Sequence, residues 1–265
     1  MQRFYDLKHK RLVYIESAAT EHFWDEHWHT ANIRSAALAT PNSWVVHTTK
    51  KYLAPGSRVL EGGCGQANHV YALQNNGFSA IGVDFAIKTV EQLQQSVPEI
   101  RVELGDVRNL SSFEDASIDG YWSLGVIEHF WGGYESISKE MNRVLRVGGF
   151  LFLTFPYMSP LRRRKAVKGE YEEWINVVDE PDGFYQFALD YVAVLNHFKE
   201  VGFELCSMKG IDAVKGFKDE SQLMRQTVQK MYDSSGFVSK ATKYLWNKLF
   251  LHLSGHSCLL ILKKI

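Results

Sequence analysis

Three acids each follow a short apolar run in the first half of the chain. They stand in Val59-Leu60-Glu61, Gly82-Val83-Asp84 and Gly105-Asp106-Val107. Glu61 leads into the glycine turn Gly62-Gly63-Cys64-Gly65, Asp84 lies 21 positions beyond Gly63, and Asp106 lies 22 beyond Asp84. In nucleotide-binding α/β proteins, carboxylates at successive strand ends meet the hydroxyls and amines of an adenosine. Glycines in the turn admit positive φ and let the backbone approach a ligand closely. A helix after the turn adds free N–H groups and a positive dipole end. The spacing discriminates between cofactors. A dinucleotide fingerprint needs a glycine where Asn68 stands in Gly63-Cys64-Gly65-Gln66-Ala67-Asn68. A carboxylate at Glu61 would repel a pyrophosphate, and it suits an ammonium-bearing ligand.

The elements that must position these acids alternate as a parallel sheet requires. Strands are expected at 58–61, 79–83, 100–104, 119–124 and 149–155, with helices at 66–76, 86–96 and 134–146 between them. Ser43 to Leu53 reads as a short helix stopped by Pro55-Gly56. Residues 1–43 read as polar, aromatic and mostly helix-like. Residues 157–183 read as a loop-like insertion that holds Arg162-Arg163-Arg164-Lys165, and 185–201 as a helix. Strands follow at 203–208 and 256–263, separated by a helical insertion over 217–252.

With the turn, the acids and the strand order in view, the sequence resembles the class I S-adenosylmethionine-dependent methyltransferases. Glu61 to Gly65 is similar to their first motif, Asp84 to the ribose-binding acid and Asp106 to the adenine-binding acid. Asp119 to Phe130 resembles their fourth strand and its exit, and Val144 to Leu153 the late helix, Gly-Gly turn and fifth strand. One departure is Ala67, where many members carry a third glycine. The resemblance implies a Rossmann-like, seven-stranded α/β sheet with S-adenosyl-L-methionine as cofactor. It implies a cofactor site of Glu61, Gly63, Cys64, Gly65, Asp84, Phe85, Asp106, Val107, Leu124 and Gly125. It covers 44–155 well and the rest poorly. The Val126-Ile127-Glu128-His129 exit is similar to the branch that methylates small molecules.

The expected organisation is one methyltransferase domain over 1–265. Residues 1–43 form an N-terminal helical lid, 44–155 the cofactor half, and 156–265 the substrate half with insertions 156–183 and 217–252. The expected reaction is methyl transfer to a hydroxyl of a small molecule, with His129 as the catalytic base, since an imidazole can take a proton near neutral pH. N-methylation, protein methylation and a non-catalytic cofactor-binding module remain open. Ser123-Leu124-Gly125-Val126 replaces the Asp/Asn-Pro-Pro-Tyr signature of amino-group methylases, which counts against nucleobases. Glu128 is expected to be structural, for example by capping a helix or pairing with a basic neighbour.

Composition narrows the classes further. Hydrophobic residues make up 45% of 265, enough for a core, and the formal net charge of +0 gives no global attraction to nucleic acid. Cys64, Cys206 and Cys258 have neither zinc nor disulfide spacing. His22, His27 and His29 interleave with Phe23, Trp24 and Trp28, a pattern that favours a lid helix over a metal site, so no metal is expected. The basic run 162–165 is either a solvated loop or a clamp for an anionic acceptor group. The aromatic patch 244–252 is core, a dimer contact or a peripheral membrane contact. The chain has no signal-peptide pattern and no spanning run, so a cytoplasmic monomer or homodimer is expected.

Overall fold

The computed structural model describes residues 1–30, 32–39, 43–175, 179–221, 225–233 and 236–265. The chain opens with a hairpin of β1 (Gln2–Asp6) and β2 (Arg11–Ile15), then α1 (Glu21–Trp28), α2 (Ile33–Ala37) and α3 (Trp44–Tyr52). Next come β3 (Arg58–Gly62), α4 (Asn68–Asn75), β4 (Ser79–Asp84), α5 (Ile87–Ser96), β5 (Val102–Leu104), β6 (Ile118–Leu124), α6 (Glu135–Val144) and β7 (Leu145–Pro156). The second half holds α7 (Pro160–Val167), β8 (Glu172–Glu173), β9 (Phe184–Ala188), α8 (Tyr191–Glu200) and β10 (Phe203–Ile211). It ends with α9 (Ala213–Glu220), α10 (Arg225–Asp233), α11 (Phe237–Ser254) and β11 (Ser257–Lys264).

The main sheet has seven strands in the order β10-β11-β7-β6-β3-β4-β5, parallel except for the antiparallel β11, which pairs with both β7 and β10. The expected seven-stranded Rossmann-like sheet is therefore present, with its last two strands as a hairpin interrupted by α9, α10 and α11. Alternation along each strand builds one core on either face. Leu60, Tyr121 and Leu151 face α6 and α8, while Val59, Trp122 and Phe152 face α3, α4 and α5. Trp122 stacks on Phe152 with centroids 4.4 Å apart and donates its indole N–H to Thr49 Oγ1 at 2.9 Å, so α3 is both packed and hydrogen-bonded to the sheet.

Three expectations fail outside this sheet. Residues 1–15 are a hairpin rather than helix, and with β8 and β9 they form a second sheet in the order β8-β1-β2-β9. Its turn is tied by Asp6, which accepts from the His9 N–H and from Arg11 Nε. Leu12, Val13 and Tyr14 are all buried, so core contact overrides the polar surroundings. The start of the expected helix 185–201 is strand β9, and the helix begins only at Tyr191, where Asp190 accepts from the Val192 N–H. The basic run lies on helix α7, capped by Ser159 with Pro160 in the first turn.

That run is also not a free clamp. Arg162 is fully buried and donates to Glu220 Oε1 at 3.0 Å and to the carbonyls of Tyr157 and His256. Glu220 further accepts from Arg3 at 2.8 Å, Lys165 at 3.2 Å and the Tyr171 hydroxyl at 2.7 Å. Arg163 pairs with Asp190. One acid thus joins the N-terminal hairpin, α7 and α9.

Burial alone would raise the Glu220 pKa, but Arg162, Arg3, the Tyr171 hydroxyl and Lys165 together hold it below the usual carboxylate range. Removing one partner of a buried pair costs about 3–5 kcal/mol, because it strands the other charge. Glu220→Ala should lower the free energy of unfolding by about that amount in urea titration. Because the folded pKa is depressed, the contribution of Glu220 should be complete above its unfolded pKa of about 4.3 and vanish as pH falls through the lower folded value.

Candidate cofactor and acceptor cavity

A cavity of about 510 Å³ opens at the carboxyl end of β3, β4 and β6. Its size falls in the range of small-molecule sites, about 300–1,000 Å³. Gly63, Asp84, Phe85, Asp106, Val107, Leu124, Gly125 and His129 all line it, so eight of the residues expected from sequence converge there. Glu61, Cys64 and Gly65 do not line it and act from behind the wall.

Asp84, at the end of β4, anchors the glycine turn that follows β3. Its Oδ2 accepts the Gly65 N–H at 2.7 Å and its Oδ1 accepts the Ala86 N–H at 2.9 Å. Gly63 stands at φ 73°, and a Cβ there would meet Val126 at 2.6 Å. Gly65 stands at φ 50°, and its Cβ would meet the Trp28 ring at 2.7 Å. The turn therefore needs glycine for both its backbone and its packing. Ala67 takes φ 56° in the same left-handed region, which costs an L-residue about 1–2 kcal/mol and explains why glycine suits that position.

Glu61 is buried behind this turn, and its Oε2 has no partner. Burial and the neighbouring Asp84 charge push its pKa up to about 8. Burial likewise raises Asp84, partly offset by the N–H groups it accepts. Two carboxylates facing one turn with an unsatisfied oxygen make a site that favours a cation. Cys64 is buried, and burial raises its thiol well above the ordinary value, so it packs rather than reacts. Asp106 reaches the cavity with its carboxylate already held by Arg108, at 2.6 Å from Nη2. That contact keeps its pKa low against the effect of burial. Its oxygens retain lone pairs for an amine.

His129 ends a 3₁₀ turn, Ile127–His129, after β6. Its Nδ1 lies 2.6 Å from the carbonyl oxygen of Tyr185 on β9. A carbonyl can only accept, so Nδ1 carries the proton and Nε2 keeps a lone pair. Close packing disfavours the imidazolium and lowers its pKa to about 4, although the Tyr185 carbonyl works the other way. The expected titration near neutral pH is thereby corrected: the ring is neutral throughout the physiological range. Glu128, beside it, is buried with pKa pushed up to about 8 and one oxygen unpartnered, and no ion pair forms on it among the described residues. Among the described residues it neither caps a helix nor forms an ion pair, and its burial is that of a structural residue.

Helix α1 covers the cavity from the N-terminal side. Trp24 and Trp28 stack 5.9 Å apart and line it, and Trp24 meets the His129 ring edge-on at 5.0 Å. Asp25 accepts from the Thr89 N–H at 3.0 Å and its hydroxyl at 3.1 Å, so it fastens α1 to the start of α5. No metal-holding cluster occurs among the described residues, and His22, His27 and His29 form none. Sequence reading missed Thr20, Trp131 and Glu180, which also line the cavity. They lie on connections, where no periodicity marks a residue as inward-facing.

The residues present fit an adenosyl amino acid. Asp84 brings a carboxylate, and Phe85 and Val107 apolar surface, to the cavity wall, and Glu61 keeps a buried oxygen without a partner behind it. Comparisons with known proteins agree. Residues 60–153 match the methyltransferase domain family. A probable S-adenosylmethionine-dependent methyltransferase of Mycolicibacterium smegmatis is 32% identical over 124 residues, 45% of this chain and 48% of that protein. The S-adenosyl-L-methionine-dependent Diels-Alderase iccD of Talaromyces variabilis is 31% identical over 155 residues, 52% of this chain and 53% of that protein. The chain thus spans about half the length of these curated relatives.

Two solved structures share the fold at low identity. One is a methyltransferase from Archaeoglobus fulgidus (TM-score 0.52, 16% identity, 83% of this chain and 93% of that one). The other is the [4+2]-cyclase SpnF (TM-score 0.56, 14% identity, 94% and 98%).

An ammonium-bearing ligand should ionise Glu61, which is mostly protonated at pH 7 in the free chain. S-adenosylhomocysteine binding should therefore release close to one proton. Titration calorimetry in buffers of different ionisation enthalpy measures this directly, and Glu61→Gln should abolish the release. An unchanged enthalpy across buffers for the unsubstituted chain would remove Glu61 from the ligand's ammonium.

Proposed function

We propose that this chain, a class I S-adenosylmethionine-dependent methyltransferase by its 60–153 domain and its fold, methylates a hydroxyl of a small-molecule acceptor. The observation that carries the reading is His129: a neutral imidazole facing the cavity with its proton fixed on Nδ1 and Nε2 open. The cofactor, when bound, supplies an electrophilic sulfonium methyl, so the protein mainly provides proximity and orientation. Asp84 would hold the ribose, Asp106 and Val107 the adenine edge, and Glu61 the ammonium. Gly63, Gly65, Leu124 and Gly125 would give the backbone close approach. His129 would take the hydroxyl proton at Nε2 while the Tyr185 carbonyl steadies the ring. Trp24 and Trp28 would exclude water from above.

In this reading 1–265 acts as one unit, with 1–43 as cap, 44–155 as cofactor half and 156–265 as acceptor side. The shared Glu220 cluster supports that unity. An anionic acceptor gains no support, since Arg162, Arg163 and Lys165 are engaged in ion pairs. A second reading comes from the Diels-Alderase relative: a cofactor-binding template that shapes an acceptor without transferring methyl. The aromatic rim of Trp24, Phe130 and Trp131 would suit a flat apolar reactant.

His129→Ala should cut kcat by about 10²–10⁴ and leave S-adenosylhomocysteine affinity within a factor of a few, measured with a hydroxyl acceptor found by screening. The acidic limb of the unsubstituted enzyme should fall near pH 4, below which His129 is protonated and cannot accept. Unchanged kcat with saturating substrates would leave proximity as the whole mechanism.

Helix α1 should close on the ligand. Hydrogen exchange over 21–28 should slow when S-adenosylhomocysteine is added, since Trp28 already packs on the Gly65 turn. Equal exchange with and without ligand would make α1 a fixed wall.

A further inference from the structure

We propose that the outward face of α11 docks on an anionic lipid surface. The helix is apolar on both sides. Its inner side carries Trp246, which packs on Phe217 and Phe250, and Ser254, which donates to the Ala213 carbonyl. Its outer side carries Leu245, Leu249 and Leu253 in one i, i+4, i+8 ridge, exposed by 55%, 53% and 39%. Beside the ridge stand Tyr244, exposed by 71%, and Lys248 and His252, which are also exposed. Single exposed leucines are ordinary, but a ridge along an 18-residue helix marks a contact surface.

Charge selects the occupant. Helix α11 contains Lys240, Lys243 and Lys248 and no acid. By sequence, 225–254 holds five Lys and Arg residues and the single acid Asp233, in a chain whose formal net charge is +0, and Lys248 stands exposed beside the ridge. A second copy docked isologously on the same face would bring like charges together. An anionic bilayer instead attracts them, while the leucines enter the acyl boundary and Tyr244 lies at headgroup level. No described helix is long and apolar enough to cross a membrane, so the contact is peripheral.

Position adds a consequence. Helix α11 ends at Ser254, just before Ser257, which pairs with Pro156 at the carboxyl end of β7. That is the end of the sheet that carries the cavity. On the proposed reading of the site, which this corollary alone depends on, the acceptor is then an amphiphile held at the membrane.

The test is sedimentation of the full chain with vesicles of phosphatidylcholine alone and of an equimolar phosphatidylcholine–phosphatidylglycerol mixture, with no turnover measured. Anionic vesicles should bind at least about fivefold more tightly, the scale that one exposed lysine, Lys248, supplies near an anionic surface, and added salt should weaken the binding. Leu245→Glu combined with Leu249→Glu should abolish it at unchanged thermal midpoint, since both positions are exposed. Lys248→Glu, which spares the ridge, should weaken it several-fold. Equal partition to neutral vesicles would overturn the proposal, as would none to either. So would a solution dimer that Leu249→Glu dissociates while vesicles bind neither form. Because no methyl acceptor enters the assay, its failure would leave the proposed reaction standing.

Discussion

The hydrogen bond from the Gly65 N–H to Asp84 ties the turn after β3 to the end of β4, and the site is built around it. It holds the turn at a left-handed φ, which in turn requires the missing side chains at Gly63 and Gly65. Those absences let Val126 and Trp28 close in from two sides. Beneath, Glu61 is left buried against a second carboxylate with one oxygen unsatisfied, and in the free chain it offsets that cost by holding a proton. The free chain thus holds a proton where an ammonium could replace it. In this sense binding and fold are coupled at one backbone contact.

A second constraint comes from a part of the chain outside the glycine turn. The N-terminal hairpin pairs with β9, and β9 presents the Tyr185 carbonyl that fixes the tautomer of His129. The hairpin is anchored in turn by Arg3 on Glu220, among the buried charges of α7 and α9. The placement of the His129 proton therefore rests on an ionic cluster distant in sequence. That arrangement gives the two insertions a positioning task.

The central sheet was legible because β3, β4, β5 and β6 are short apolar runs ended by an acid or glycine, and strands alternate with helices over 58–155 except between β5 and β6. The cavity-lining Gly63, Asp84, Phe85, Asp106, Val107, Leu124 and Gly125 were legible because they sit in the turns that end those runs. The N-terminal hairpin was not, since Gln2-Arg3-Phe4-Tyr5-Asp6 looks polar until β2 and β8 pair with it. A signal did exist in Leu12-Val13-Tyr14-Ile15, whose aliphatic and aromatic residues favour strand. The basic run 162–165 read as a loop through its charge alone, although Ser159-Pro160 ahead of it is a helix-start pattern. Its burial could not be foreseen, because Glu220 lies 58 residues beyond Arg162. The same holds for His129: its position was readable at a strand exit, but its lowered pKa depends on rings brought in from α1 and β9.

The most direct test of the central claim is a crystal structure of the chain with S-adenosylhomocysteine. The account predicts both ribose hydroxyls on Asp84, the adenine between Phe85 and Val107, the ammonium toward Glu61, and the sulfur on the side of His129 and Trp24. A ligand seated elsewhere, or an Asp84 carboxylate that meets only Gly65 and Ala86 in crystals where the ligand is bound, would contradict it.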